Sequence, residues 1–537
     1  MSSSTLNTSN PMYITWKHHD IRITILGGIM MEGLDRLRVT LKIEHKQAIV
    51  RSSLDLYNDG QVEKLVRKTA EHFSLGSAYI SKMLEELTNA VESYRITALQ
   101  KLEVKKPTKV LTPEEKEQAI AFLQEPWLLF RTNELIGKSG IVGEENNRLL
   151  MYLIFTSRKR LNPLHVISFA ASGTGKSYLQ ERVGELIPEE DKIEITVLSE
   201  NAFYYFAPKE LRHKLIMIED MEGAQEVLYP LRELQSKNRL TKRVVVKDKN
   251  GTTQTIDVTV EGPVCVAGCT TQESVYEDNA NRSFLLYLDE SKEQDERIMQ
   301  RQKQVSAGVV DYVRENKIKT LLKNCQRLLN PISVRNAYAL GLTIPPEVIK
   351  IRRAHAQYLH FIEAITFYKQ YQRQSKVDPQ TGDRYIETTL EDIAEANELM
   401  KQVLLRKSDE LTHAARQYLE CIKEYLRKDE KTVFTTKEIR QVYKLHPSNQ
   451  KRYMLLLLQA GYIRKAEDKA FSFAYEVTSN DEYTSLQDRV KHTLDNSLTR
   501  LQEEFNSSAT VQKANEPPKS SVTKPSTKKF KSSLKKT

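Results

Sequence analysis

The sequence predicts an α/β core with a mainly parallel sheet, followed by a helical lid and a C-terminal winged helix. Short apolar strands alternate with helical segments over residues 117–289, a pattern typical of parallel sheets. Residues 290–413 repeat apolar residues at helical spacing. Residues 414–480 combine three helical segments with two short strands around a polar turn, which is the outline of a winged helix-turn-helix.

The composition divides the chain into eight parts. The Ser/Thr/Asn-rich start and the Lys-rich end are expected to be disordered. A small α/β domain precedes a polar linker, because apolar strands there are followed by two amphipathic helical segments. The predicted parts are a disordered segment 1–12, an N-terminal domain 13–100, a linker 101–116, an α/β core 117–289, a helical lid 290–413, a winged helix 414–480, a helix 481–506 and a basic disordered tail 507–537.

The bulk composition excludes several protein classes. With 537 residues the chain is too long for one hydrophobic core. No apolar run approaches the roughly 20 residues needed to cross a bilayer, and the first residues, MSSSTLNTSN, show no secretory signal. The four cysteines, Cys265, Cys269, Cys325 and Cys421, have neither disulfide nor zinc spacing, so we expect core thiols in a cytoplasmic protein.

The formal net charge of +10 is concentrated near the end of the chain. Residues 511–537 contain eight Lys and one Glu, a local charge of +7, which leaves +3 for the other residues. The tail is therefore expected either to attract phosphate groups without sequence preference or to be a solvated segment without a function. Net charge by itself is a weak argument for nucleic-acid binding here.

A phosphate-binding loop is predicted at residues 168–177, which read SFAASGTGKS. Gly173 and Gly175 allow the bends that point backbone N–H groups at phosphates, and Lys176 supplies a positive charge. Ser177 opens the next helix with a hydroxyl that suits Mg²⁺. Ala170 replaces the first glycine of the usual pattern. The predicted cofactors are ATP and Mg²⁺, and the predicted nucleotide-binding residues are Ala171, Ser172, Gly173, Thr174, Gly175, Lys176 and Ser177.

Three further groups of the expected kind follow this loop. Glu219 and Asp220 end the apolar segment KLIMI, where one carboxylate can hold Mg²⁺ with Ser177 and the other can polarise the attacking water. Their order is the reverse of the usual Asp–Glu, which leaves the two roles open. Thr270 or Thr271, after PVCVAGC, can sense the γ-phosphate. Arg282 precedes the last strand, either as an arginine finger for a neighbouring subunit or in a structural salt bridge.

A β-hairpin is predicted between the acidic strand and the threonine strand. KRVVVKD and TTQTIDVTV alternate as strands do, and Asn250-Gly251 between them is a turn signal. In a ring of subunits such a hairpin would carry basic residues towards the central channel, where they would grip a phosphate backbone. The alternative is a surface hairpin without a function. The candidate DNA-binding residues of this hairpin are Lys242, Arg243, Lys247 and Lys249.

The winged-helix segment is a second candidate for DNA contact. The first turn of its third helix would meet bases, and the wing would meet the backbone. Docking of another protein is the alternative use of such a module. The candidate residues are Asn449, Gln450, Lys451 and Arg452 on the helix, and Arg464, Lys465 and Lys469 on the wing.

The chain resembles the ATPase module of bacterial mobile-element and phage-like primase-helicases. The stretch that carries the resemblance is SGIVGEENNRLLMYLIFTSRKRLNPLHVISFAASGTGKSYL, and it continues through KLIMIEDMEG, GPVCVAGCTTQES and NANRSFLLYLDES, over roughly residues 50–430. The resemblance implies an AAA+-like fold with a hairpin before the sensor strand, similar in plan to superfamily 3 and minichromosome-maintenance helicases. It implies that Lys176 and Ser177 bind nucleotide and Mg²⁺, that Glu219 and Asp220 form the acidic motif, and that Thr270 or Thr271 is the sensor.

Two departures limit that resemblance. The sequence has no Cys/His zinc site and no acidic cluster suited to a Toprim centre, so the primase half of such proteins is expected to be absent. We therefore expect an ATP-driven DNA translocase or helicase that forms a homo-oligomeric ring, acts on single-stranded DNA, works beside a separate primase and has no membrane association. The alternatives are an ATPase switch that assembles on DNA and recruits a transposase, a primase or another partner without unwinding, and a non-enzymatic DNA-binding adaptor with a degenerate P-loop.

Overall fold

The computed structural model describes residues 6–10, 12–29, 36–102, 109–169, 173–196, 202–222, 224, 228–247, 253–271, 281–443, 445–466, 474–479 and 481–514. The chain divides into two compact units, Met1–Lys109 and Val110–Thr537. Within the described ranges, no helix combines the length and the apolar character that crossing a membrane requires.

The first unit is an antiparallel five-stranded sheet with two helices. The strands follow one another in the order β1-β2-β3-β4-β5. Alternate strand residues such as Trp16, Ile23 and Leu41 share a core with helical residues such as Leu84. The elements are β1 (Leu6–Asn7), β2 (Tyr13–His18), β3 (Ile21–Leu26), β4 (Arg38–His45), β5 (Ala48–Asp55), α1 (Asp59–Phe73) and α2 (Ser77–Leu102).

The structure differs from the prediction of disorder over residues 1–12. Leu6 and Asn7 form the edge strand β1, which pairs with Thr15 and Trp16 of β2. The side chain of Leu6 packs against the core of the first unit.

The second unit begins with three helices and continues into a parallel sheet. The sheet order is β12-β6-β11-β8-β7, and all its neighbours are parallel, so the predicted α/β core with a parallel sheet is confirmed. The elements are α3 (Pro113–Leu123), α4 (Leu128–Lys138), α5 (Glu145–Thr156), β6 (Val166–Phe169), α6 (Lys176–Gly184), β7 (Lys192–Ile195), β8 (Lys214–Ile218), α7 (Leu228–Lys237), β9 (Arg239–Lys247), β10 (Thr253–Glu261), β11 (Val264–Thr270) and β12 (Phe284–Tyr287).

Both faces of the parallel sheet are covered. Val166 of β6 belongs to a core shared with the helices α3 to α5, and its neighbour Ile167 belongs to a second core on the opposite face. Strands β9 and β10 form a separate antiparallel hairpin. Leu240 and Val260 anchor the base of that hairpin in the second core.

The region after β12 is mostly helical and also contains a small sheet, and its identification as a lid stays a prediction. Strand β15 pairs in parallel with β13 and antiparallel with β14. These strands are short and polar, and their exposed residues leave no clear alternation in the sequence. The elements are α8 (Lys292–Ser306), α9 (Tyr312–Leu328), β13 (Ser333–Arg335), α10 (Ile351–Tyr368), β14 (Lys376–Val377), β15 (Arg384–Glu387) and α11 (Leu390–Ser408).

The C-terminal part contains three helices, a three-stranded sheet and one long helix. The sheet order is β16-β18-β17, and its pairs are antiparallel. The identification of this part as a winged helix stays a prediction. The elements are α12 (His413–Lys428), β16 (Val433–Thr435), α13 (Thr436–Tyr443), α14 (Pro447–Gln459), β17 (Ile463–Lys465), β18 (Ala474–Val477) and α15 (Glu482–Ala514).

Helix α15 packs on the helical region rather than standing alone. Leu486, Val490 and Leu494 lie in the core that also contains α10 and α11. Asn397 of α11 donates from Nδ2 to the carbonyl of Leu494 at 3.3 Å. The helix extends eight residues into the range predicted as a disordered tail, and residues 515–537 lie outside the described residues.

Candidate nucleotide site

The predicted phosphate loop connects β6 to α6. Gly173 and Gly175 have φ angles of +85° and +95°, a region that residues with a Cβ atom rarely adopt. Gly175 directly precedes α6, so the first N–H groups of that helix have no carbonyl partner within the helix and lie at the loop. Ala171 and Ser172 lie outside the described residues. The two glycines therefore have the conformations that a phosphate-binding loop requires.

The start of α6 faces the end of β8. Lys176 is 9% exposed. The hydroxyl of Ser177 lies 3.4 Å from the carbonyl oxygen of Glu219. One turn after Lys176, Gln180 donates from Nε2 to the carbonyl of Ile218 at 3.0 Å. These contacts fix the lysine and serine of the loop beside the predicted acidic pair.

The acidic pair lies at an exposed turn after β8. The backbone N–H of Glu219 donates to the carbonyl of Ile195 on β7 at 3.2 Å. One oxygen of Asp220 accepts from the N–H of Glu222 at 2.9 Å, and Glu222 accepts from the hydroxyl of Thr271 at 2.7 Å. The sequence analysis did not identify Glu222 as a site residue, although Glu222 belongs to the same acidic segment, EDME.

Strand β11 lies between β6 and β8, which brings Thr270 to the same edge of the sheet. Thr270 pairs with Phe169, the last residue of β6, and is 2% exposed. The carbonyl of the preceding Cys269 accepts from the N–H of Met221 at 3.0 Å. Thr270 is thus the buried threonine between loop and acidic turn, whereas Thr271 is exposed and bonded to Glu222.

The pKa of the Cys269 thiol depends on burial and on the charged groups around it. Burial raises its pKa to about 12, while the nearby Lys176 ammonium lowers it and the Asp220 and Glu219 carboxylates raise it. Its Sγ lies 3.4 Å from Oε1 of Gln180. One lysine and two carboxylates therefore act on the same point beneath the site, which agrees with their placement at one edge of the sheet.

A cavity of about 740 Å³ opens beside the phosphate loop. Its walls come from the start of α6, the segment between α4 and α5, the segment after β12, and the helices α8 and α9. Its apolar and aromatic lining suits an organic group attached to the phosphates. The lining residues that matter here are Gly175, Tyr178, Ile141, Val142, Ile298 and Tyr312.

The wall between α4 and α5 is held by the half-buried Glu144 and the buried Arg148. Glu144 accepts from the N–H of Asp289 at 2.8 Å and from Nδ2 of Asn147 at 2.5 Å. Burial raises the pKa of Glu144, and these two hydrogen bonds oppose that rise. Arg148 is largely buried and donates to the carbonyls of Ile141 and Gly143. The sequence analysis did not identify this wall, because its residues lie far from the phosphate loop along the chain.

The residues at this edge fit a magnesium ion bound together with phosphates. Mg²⁺ is held by a hydroxyl, one or two carboxylates, waters and phosphate oxygens rather than by a full protein cage. Ser177, Glu219 and Asp220 supply such a set. Among the described residues there is no cluster of three or more His, Cys, Asp or Glu that could hold a metal ion by itself.

Arg282 lies at the opposite edge of the sheet from the phosphate loop. It precedes β12, whose Phe284 pairs with Val166 at the start of β6, while the loop follows the end of β6. At about 3.3 Å per strand residue, the two edges are separated by about 10 Å or more. Nε of Arg282 donates to Ser236 Oγ at 2.9 Å. Within one chain, Arg282 and the phosphate loop are not brought together.

The hairpin β9–β10 presents basic residues, part of whose charge is balanced. Arg243 pairs with Asp257 across the hairpin at 3.0 Å, and both are exposed. Lys242 lies over the ring of Tyr204, with Nζ 5.0 Å from the ring centroid. Lys247 ends β9, and Lys249 lies outside the described residues.

Most of the candidate DNA-binding residues in the C-terminal part are exposed, but Gln450 is buried. Lys451 and Arg452 are exposed in the first half of α14, and Arg464 of β17 pairs with Glu476 while Lys465 is exposed. Asn449 is exposed as well, and Lys469 lies outside the described residues. The prediction that Gln450 is available for DNA is wrong. Gln450 is 4% exposed and donates to the hydroxyl of Tyr418 and the carbonyl of Thr436.

Comparisons with known proteins agree with the nucleotide site. Residues 113–330 match a family model described as the MTBMA_p00010 P-loop domain. No curated protein matches the chain. A solved structure titled "SCCmec type IV Cch - active helicase" is similar at 8% identity, covering 91% of this chain and 99% of that chain, with a TM-score of 0.22. A TM-score this low does not establish a shared fold. The chain therefore contains a P-loop domain, and residues 113–330 are the part that carries it.

Proposed function

We propose that the chain is an ATP-dependent DNA translocase, of the helicase kind, that acts in replication of a bacterial mobile or phage-like element. The observation that carries the proposal is the convergence of Lys176, Ser177, the acidic pair and Thr270 at one edge of the parallel sheet. A basic hairpin inserted between the acidic strand and the threonine strand supports the DNA part. The mobile-element context rests on the sequence resemblance.

The residues at this edge divide the work of ATP hydrolysis. The backbone N–H groups of the loop and Lys176 would bind the phosphates, and Ser177 with Glu219 or Asp220 would hold Mg²⁺. The bound ion would neutralise charge that develops on the phosphates. The other carboxylate would orient the attacking water, and Thr270 would contact the water or the γ-phosphate. The cavity beside the loop would take the nucleoside.

The position of Arg282 favours assembly into a homo-oligomeric ring. An arginine on the edge opposite its own phosphate loop cannot stabilise the phosphates of that loop. In an oligomer, Arg282 of one subunit can reach the phosphates bound by the adjacent subunit, which is how an arginine finger supplied in trans works. We therefore place ATP between subunits, with Arg282 contributed by the next copy.

The hairpin and the C-terminal basic residues would contact DNA. Strand β10 leads directly into β11, which ends at Thr270, so one continuous segment joins the hairpin to the phosphate edge. Lys242, Arg243, Lys247 and Lys249 would grip the phosphate backbone of single-stranded DNA. A winged helix would add contacts through Lys451, Arg452, Arg464 and Lys465, and a separate primase would act as partner.

The test is the ATPase rate of the purified chain with and without single-stranded DNA. We expect DNA to stimulate turnover, and Lys176→Ala to reduce it by about 100-fold or more, the cost of removing a preorganised charge from phosphate chemistry. Lys428→Ala is the matched control, because the exposed Lys428 pairs with Glu424 one turn earlier on α12. The motor proposal would be refuted if DNA changed neither the ATPase rate of the protein nor its assembly into oligomers.

In the alternative, the chain is an ATPase switch that does not unwind DNA. It uses the same nucleotide site, assembles on DNA and recruits a transposase, a primase or another partner. A strand-displacement assay separates the two: ATP-dependent assembly without displaced strand favours the switch. The degenerate adaptor, suggested by Ala170 and by the Glu–Asp order, is eliminated by measurable turnover that Lys176→Ala abolishes.

A further inference from the structure

We propose that the outer face of the N-terminal sheet is a binding surface for single-stranded nucleic acid. In a strand, successive side chains point to opposite faces, and the inward residues of β2 to β5 are buried against α1 and α2. The outward residues form three rows across the four strands. We call these twelve residues the outer sheet face: Lys17, Arg22, Glu44 and Ile49; Thr15, Thr24, Lys42 and Arg51; Tyr13, Leu26, Thr40 and Ser53.

Two pairs of like charges stand opposite each other on this face. Lys17 is opposite Arg22, and Lys42 is opposite Arg51. Residues in such positions have Cβ atoms about 5 Å apart, and like charges there destabilise a sheet. Lys17, Arg22 and Arg51 are exposed, while Glu44 lies opposite Arg22 and contacts Lys42 at 2.6 Å. One carboxylate does not balance four cations, so the face keeps an excess of positive charge that a polyanion would neutralise.

The remaining side chains of the outer sheet face select the kind of polyanion. Thr15, Thr24, Thr40 and Ser53 supply hydroxyl groups, which bond to phosphate and sugar oxygens. Tyr13 is 59% exposed at the end of β2, where its ring is free to stack on a base. Only Leu26 and Ile49 are aliphatic, which is too little for a membrane or an apolar protein surface.

A flat face suits an unpaired strand, whose bases can reach the tyrosine ring while its phosphates follow the basic residues. The bases of a duplex are stacked inside and cannot reach such a ring. This surface lies in the first unit, away in sequence from the nucleotide site, and needs no ATP. Its failure and the failure of the proposed motor are therefore separate outcomes.

The test compares two triple variants of the full chain, measured without nucleotide. K17Q/R22Q/R51Q removes three charges from the outer sheet face. K64Q/R67Q/K82Q removes three exposed charges from α1 and α2 and serves as the matched control. Binding of labelled oligo-dT and oligo-rU of about 30 nucleotides is followed by fluorescence anisotropy at several salt concentrations. The two oligomers separate DNA from RNA as the source of the same chemistry.

We expect the outer-face variant to bind at least about tenfold more weakly at roughly 0.1 M salt, and its salt slope to fall by about 2, which is 0.7 for each lost phosphate contact. The control variant should stay within about twofold of the parent chain. The melting temperature of the outer-face variant should be unchanged, because the three replaced side chains are exposed. Tyr13→Ala should weaken binding by about fivefold or more, and Tyr13→Phe should not.

Equal losses in the two triple variants, or no loss in either, would overturn the proposal. Tighter binding of duplex than of single strand through this face would overturn the single-strand assignment, as would an unchanged affinity in Tyr13→Ala. A lower melting temperature accompanying the loss of binding would show that the substitutions damage the sheet rather than a binding surface.

Discussion

Replacing Gly175 by alanine should separate the conformation of the phosphate loop from its chemistry. Gly175 has a φ of +95°, and a Cβ atom added there would meet nothing within 4 Å. The substitution therefore introduces no clash, only the backbone strain of a left-handed conformation. That strain costs roughly 1–2 kcal/mol for a residue with a Cβ atom.

This strain must appear either in folding or in binding. If the loop keeps its conformation, the free energy of unfolding falls by about 1–2 kcal/mol and ATP affinity is kept. If the loop relaxes in the free protein, ATP must restore it, and affinity falls by about 5- to 30-fold, since 1.4 kcal/mol is a factor of ten. The two losses should add up to roughly the same total.

The assay is equilibrium binding of a fluorescent ATP analogue, combined with guanidinium unfolding of the same protein. Gly382→Ala is the matched control, because Gly382 has a φ of +75° and equally open surroundings in the turn between β14 and β15. It should lose stability and keep its ATP affinity. The reasoning fails if Gly175→Ala changes neither quantity, or if Gly382→Ala weakens ATP binding as much.

Two further predictions concern stability. Burial lowers the pKa of His165 from 6.5 to about 4, and its Nδ1 accepts from the N–H of Val266 at 3.3 Å, so stability should fall as pH drops from 6.5 towards 4, by about 3 kcal/mol. Urea unfolding against pH measures this, and a slope that persists in His165→Gln would contradict it. Arg416 is 3% exposed and donates through two nitrogens to Asp409. Replacing Arg416 by methionine should lower the free energy of unfolding by about 3–5 kcal/mol. Arg464→Met, which breaks an exposed pair, should cost at most about 1 kcal/mol in the same denaturant titration, and similar costs for both would refute the burial argument.

The local parts of the candidate site could be predicted from the sequence because short segments determine them. A strand, two glycines and a Gly-Lys-Ser sequence define the loop within ten residues, and the acidic pair follows a strand directly. The parallel sheet then places strand ends at one edge. Thr270 was distinguished from Thr271 only by the structure, because the choice depends on which residue of β11 is the last to remain buried.

The cavity wall could not be predicted, because distant segments build it. Ile141 and Val142 precede the phosphate loop, whereas Ile298 and Tyr312 follow the last strand of the sheet. The first of these segments is bonded to the sheet by a half-buried carboxylate, Glu144, which accepts from the backbone after β12. A single glutamate in a polar segment carries no periodic signal, so the sequence does not show this contact.

Helix α15 shows the same limit for packing between segments. Its apolar residues recur at helical spacing, which predicts that one face of the helix is buried. Periodicity does not identify the partner, and neighbours in sequence would suggest the three-helix segment before it. The structure instead packs Val490 and Leu494 into the core of the helical region, and a hydrogen bond from Asn397 fixes the depth. The long helix thereby packs the end of the C-terminal part against α10 and α11.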